Sequence, residues 1–94
     1  MNTKIRERMS FTGRVQGVGF RYKVTHFANA LGVTGWVRNE YDGSVSAELQ
    51  GQPEEIEQII QRLGQDRYIE IDGISRRQIP FREDERGFGV RDWD

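Results

Sequence analysis

Gly13-Arg14-Val15-Gln16-Gly17-Val18-Gly19-Phe20-Arg21 marks the place where the hydrophobic period of a strand gives way to that of a helix. Upstream, Ile5, Glu7, Met9 and Phe11 alternate with Arg6, Arg8, Ser10 and Thr12, the pattern of a strand with one covered face despite the acid at Glu7. Downstream, Val24, Phe27, Ala28 and Leu31 fall on one helical face, and Gly32 supplies a C-terminal stop. The glycines between them allow positive φ, which turns successive backbone N–H groups inward, and Arg21 adds a planar, permanently charged fork. The loop therefore reads as an anion cradle at the start of a helix and asks for a phosphorylated ligand.

The rest of the chain continues the pattern. Residues 33–38 are short, branched and aromatic; Asn39-Glu40-Tyr41-Asp42-Gly43 has turn chemistry, and Val45, Ala47 and Leu49 alternate behind it, predicting a hairpin. Pro53, Glu54 and Glu55 suit the first turn of a second helix, with Ile56, Ile59, Ile60 and Leu63 as its apolar stripe before Gly64. Ile69 and Ile71 start a fourth strand, Ile74 breaks the alternation after Gly73 and predicts a bulge, and Phe88 and Val90 offer a short fifth strand. The order is the split βαβ pattern (βαββαβ) of an α+β fold, an antiparallel sheet with two helices on one face, in one domain spanning residues 1–94. A right-handed crossover makes strands one and two parallel, so Asn39 should lie beside the glycine loop.

Composition agrees with a small folded domain. With 94 residues, 31% charged, 35% hydrophobic and 11% aromatic, the chain can form one modest core. There is no cysteine, which excludes disulfides and thiolate metal sites. The start, Met1-Asn2-Thr3-Lys4-Ile5-Arg6, does not resemble a signal peptide and no apolar window is long enough to span a bilayer, so a cytoplasmic protein without membrane partners is expected. Net charge is −1, but residues 1–38 hold seven Lys/Arg against the single acid Glu7, whereas residues 39–94 hold seven basic and fourteen acidic residues. The glycine loop lies in the positive half, which fits an anionic ligand and argues against a general nucleic-acid surface.

The cradle's candidate phosphate donors are the backbone N–H groups of Gln16, Gly17, Val18, Gly19 and Phe20 together with the Arg21 fork. Hydrogen bonds to charged groups contribute about 1.5 to 3 kcal/mol each, enough for a few of them to hold a small phosphate without a metal. Other phosphate loops fit poorly: a Walker loop needs Lys and then Ser or Thr where Phe20 and Arg21 stand, and a dinucleotide fingerprint needs glycine at Tyr22. The nine-residue stretch closely resembles the acylphosphatase signature, and Gly35-Trp36-Val37-Arg38-Asn39, followed by Gly43, Val45 and Gly51, is similar to the second motif of that family. The resemblance implies a ferredoxin-like fold and hydrolysis of acyl phosphates to a carboxylate and inorganic phosphate, with no metal, cofactor or covalent intermediate. It also implies two catalytic residues, Arg21 binding the phosphoryl group and Asn39 positioning water. Inorganic phosphate should then act as both product and competing ligand, and a monomer is expected.

Other residues have plainer readings. His26 is expected to be exposed and without catalytic function, Lys23 and Arg38 to be solvated surface charge, and Trp36 and Tyr41 to pack against the sheet. Arg86-Gly87-Phe88-Gly89-Val90 resembles the start of an RNA-recognition octapeptide, but it follows the fourth strand rather than lying on the third, and residues 44–50 contain no aromatic. The acidic second half also disfavours nucleic acid as a partner. An acylphosphatase-like domain also opens hydrogenase-maturation carbamoyltransferases, but this chain stops where their larger modules would begin, and a free-standing enzyme is expected. The chain departs from the acylphosphatase pattern at Gly64-Gln65-Asp66-Arg67-Tyr68-Ile69, where a Gly-Pro step is usual, and in a polar ending through Asp92, Trp93 and Asp94.

Overall fold

In the computed structural model, residues 3–91 are described; Asp92, Trp93 and Asp94 of the polar ending lie outside them. The element order is β1 (Ile5–Arg14), α1 (Phe20–Leu31), β2 (Thr34–Asn39), β3 (Val45–Gly51), α2 (Pro53–Gly64), β4 (Glu70–Ile79) and β5 (Phe88–Val90). The strands form one sheet in the order β4-β1-β3-β2-β5, the ferredoxin-like arrangement with an added edge strand. β3 pairs antiparallel with both β1 and β2, so β1 and β2 run the same way, as the crossover argument requires. β5, however, lies parallel to β2, with Gly35 opposite Phe88, and the sheet is therefore mixed rather than wholly antiparallel. The cause is topological: β4 and β5 occupy opposite edges, and residues 80–87 must cross the sheet and reverse direction to join them.

Alternation along the strands produces two unlike faces. Met9, Phe11, Val37, Val45, Ala47 and Leu49 point into a layer formed by Val24 and Ala28 of α1 and Ile56, Ile59 and Leu63 of α2. Gly32 ends α1 in the left-handed region at φ 72°, as predicted. α2 begins with a reciprocal cap in which Gln52 N–H donates to Glu55 Oε1 at 3.1 Å, and Gly64 is its last helical residue rather than the stop, which falls at Gln65. The predicted bulge is present. Thr12 lies opposite Gly73 and Gly13 opposite Ile71, which leaves Asp72 as the extra residue on β4.

Two charged residues of β1 break the simple inside-outside rule. Glu7 is buried among the helices' side of the sheet and accepts from Arg76 Nε and Nη2 at 2.9 and 2.8 Å; Arg76 also pairs with Glu57. Arg6, 1% exposed, faces the other way beneath the crossing segment, donating to Glu48 at 2.8 Å and to both oxygens of Glu85 at 2.7 and 3.0 Å. Burial alone would raise the Glu85 carboxyl, but the hydrogen bonds and charge of Arg6 outweigh it, so its pKa is lowered. A group held low when folded contributes stability above its ordinary range that is lost as pH falls through the depressed value. Because Arg6 keeps its pairing with Glu48, Glu85→Gln is expected to be less stable than the parent by about 1.5 kcal/mol at pH 7. That gap should shrink in thermal melts taken below the ordinary glutamate value of about 4.3. A gap that stayed constant into acid would disprove the ionic contribution.

Candidate active site

The β1–α1 loop is fixed from two sides. Val15 and Phe20 are buried, and the Phe20 ring tilts against Phe11 of β1 with centroids 5.0 Å apart, anchoring the loop to the core. On the other side the Gln16 amide donates to the carbonyls of Glu40 and Ser44 at 2.8 and 2.9 Å, which ties the loop to the β2–β3 hairpin. Within that hairpin Ser44 N–H and Oγ donate to Asp42 Oδ1 at 2.9 and 2.6 Å, so the turn has its own internal brace.

Between these anchors the glycines adopt the geometry that only glycine takes readily. Gly17 and Gly19 have φ of 73° and 81°, and Gly19 serves as the N-cap of α1 in the left-handed region. The helix consequently starts at once, with Lys23 N–H donating to Gly19 O at 3.0 Å. Among the described residues, the N–H groups of Gly17, Val18 and Gly19 donate to no protein acceptor. A run of such donors beside a helix N-terminus is an anion-binding concavity.

The loop opens onto a cavity of about 430 Å³ whose lining includes Gly17, Gly19, Phe20, Arg21 and Asn39. Arg21 stands in the first turn of α1 and Asn39 is the last residue of β2, half-buried, with its Oδ1 shielded from solvent. The structure thus brings together loop, guanidinium and amide. Gln16 and Val18 do not line the cavity; Gln16 turns its side chain to the hairpin and Val18 packs towards the core. No carboxylate or histidine lines the cavity among the described residues.

Three lining residues lie outside the predicted site set: the buried Val15, and Tyr22 and Val90, which are 74% and 47% exposed. The available signal for Tyr22 was an aromatic lying off the apolar stripe of its own helix; for Val90 it was the position two residues after Phe88, which places it on the same face of the short strand β5, beside Val37. His26 is exposed and outside the cavity lining, its ring stacked 6.3 Å from Tyr22.

Three surface readings change. Lys23 is not a solvated charge: its Nζ lies 2.5 Å from Asp66 Oδ2 and above the Tyr68 ring, and this bond is the main reason the Asp66 carboxyl is held below its ordinary value. Arg38 likewise pairs with Glu40 at 3.1 Å. Tyr41 is 86% exposed at the hairpin tip rather than packed on the sheet, since its turn projects beyond the strands; Trp36 is buried as expected. Phe88 of the octapeptide-like stretch is also buried, and its backbone N–H is held by Asn29 Oδ1 at 3.1 Å, so its ring is not displayed for base stacking.

Comparison with known proteins gives a consistent result. The acylphosphatase family model matches residues 7–90. An acylphosphatase of Bifidobacterium longum is 42% identical over 89 residues, covering 93% of this chain and 92% of that protein. The crystal structure of acylphosphatase from Bacillus subtilis superposes with a TM-score of 0.84 at 28% identity, over 93% of this chain and 98% of that one. Full-length HypF matches with a TM-score of 0.84 at 25% identity, over 97% of this chain but only 12% of that much longer one. No helix among the described residues is long and apolar enough to cross a membrane.

Proposed function

This chain belongs to the acylphosphatase family, enzymes that hydrolyse acyl phosphates, and from that premise we propose that residues 16–20 and Arg21 hold the phosphoryl group while Asn39 positions the attacking water. The observation that supports this division is the meeting of the donor-rich loop, Arg21 and Asn39 around one cavity. Loop N–H groups and the guanidinium converge on the phosphoryl oxygens, where charge is spread in a loose transition state. Water held by the Asn39 amide attacks phosphorus from the side opposite the acyl oxygen. The new O–P bond forms as the P–O(acyl) bond breaks, and the carboxylate leaves with the electron pair. Both hydrogens of the water remain on the phosphate product, one of them passed to a phosphoryl oxygen. A carboxylate is a good leaving group, so positioning and electrostatics suffice, which suits a cavity whose described lining offers no general base.

The reaction is expected to need no metal and to run in the cytoplasm on small acyl phosphates, by a monomer. Benzoyl phosphate should be hydrolysed by the chelator-treated protein, and inorganic phosphate should raise KM without lowering kcat. Absence of turnover, or loss of turnover restored only by a divalent cation, would refute this reading.

A further inference from the structure

The face of the sheet turned away from the helices holds a second cavity, of about 580 Å³. The alternation that sends Met9 and Val37 inward sends Arg8, Trp36 and Arg38 to this side, with Glu48 paired across from both Arg8 and Trp36. The crossing segment adds Arg82, and Arg91 follows β5. With Arg6, five guanidinium groups and one carboxylate line a single open depression.

Trp36 is its floor. The indole is 4% exposed, and the guanidinium carbons of Arg8, Arg38 and Arg91 lie 5.2, 5.2 and 4.8 Å from its ring centroid. Each such contact offers about 0.5 to 1 kcal/mol at an exposed site, but three cations around one ring also repel one another. Among the described residues, fewer carboxylates than guanidinium groups meet here. Glu48 is shared between Arg6 and Arg8, Glu85 is engaged by Arg6, and Glu40 pairs with Arg38. Among the described residues, the side chains of Arg82 and Arg91 form no salt bridge. Positive potential is therefore concentrated in a concave site floored by a buried indole, on a protein whose net charge is only −1.

Guanidinium forks match phosphate oxygens in pairs. One phosphate can engage one or two of them, whereas forks radiating from a common ring, with Arg82 beyond, suit several phosphates joined in a chain. We propose that the helix-free face is a second anion site, distinct from the glycine-loop cavity, that binds a linear oligophosphate, either inorganic or as the phosphate tail of a nucleotide. The two sites lie back to back: Asn39 and Val90 line the first, and their sequence neighbours Arg38 and Arg91 line the second.

The chain has two tryptophans, so Trp93→Phe leaves Trp36 as the sole reporter, and Arg21→Ala removes the guanidinium of the first site. In that background, tripolyphosphate should change Trp36 emission saturably at low salt, with affinity falling as ionic strength rises. Arg82→Gln and Arg91→Gln should each weaken binding by about tenfold while leaving acyl phosphate hydrolysis and the circular dichroism spectrum of the otherwise unmodified enzyme unchanged. Equal affinity for ATP and tripolyphosphate would assign recognition to the phosphate chain alone, and much tighter ATP binding would assign it to a nucleotide. Calorimetry on the chain with both tryptophans intact checks the result without the Trp93 substitution. The proposal fails if tripolyphosphate binds no better than orthophosphate, if the double arginine variant binds it as well as the parent, or if only an oligonucleotide binds.

Discussion

Arg21→Ala is expected to lower kcat/KM for benzoyl phosphate by about 10³-fold or more, the scale on which a transition-state arginine acts in phosphoryl transfer. The guanidinium meets the phosphoryl group in both ground and transition states, so inhibition by inorganic phosphate should weaken in the same variant. Arg21→Lys restores the charge but not the planar two-pronged geometry, and it should recover only a minor part of the lost rate. Folding is a small concern, because Arg21 lies on the first turn of α1 outside the buried set of that helix. An alanine variant within tenfold of the parent would remove Arg21 from the reaction.

Asn39→Ala should separate the two halves of the site. A loss in kcat on the order of 10² is expected, by analogy with removing one positioned donor. Phosphate should still inhibit almost as well, because the loop and Arg21 remain. If turnover stayed near that of the parent, water positioning by Asn39 would be rejected. If phosphate inhibition weakened in step with kcat, Asn39 would instead be a phosphate ligand. Its neighbour Gln16 offers a contrast: its amide binds the hairpin carbonyls of Glu40 and Ser44, so it bears on the site by holding the loop against the end of β2.

Much of this fold was legible because its signals are local. The stripe from Ile56 to Leu63, the stop at Gly32 and the alternation of Val45, Ala47 and Leu49 each follow from spacing along one element. The bulge was legible for the same reason, through Ile74 falling out of phase after Gly73. The parallel pairing of β5 was not, since it depends on a segment crossing a sheet that no short window contains. Burial of Arg6 and Glu7 was equally hidden: charged residues are expected outside, and their partners Glu85 and Arg76 lie far along the chain. At the site, the glycine loop and Asn39 could be brought together by handedness alone, whereas Tyr22 and Val90 became visible only when the cavity had walls. The cationic outer face was not legible because Arg6, Arg8 and Arg38 come from the basic residues 1–38 and Arg82 and Arg91 from the acidic remainder, and charge summed along a segment ignores which side of a strand each residue occupies.

The sheet's two borders also have different consequences for how the chain behaves among its own kind. One border is closed by three residues of β5, but the other is the ten-residue β4, whose outer side has no neighbour in the sheet. An unpaired strand of that length is a template for another chain's backbone. Here it is bent by the extra residue Asp72 and carries Glu70, Arg76 and Arg77, so an incoming strand meets both a broken ladder and charge of either sign. The bulge and the mixed charges together make this edge a poor template for another strand.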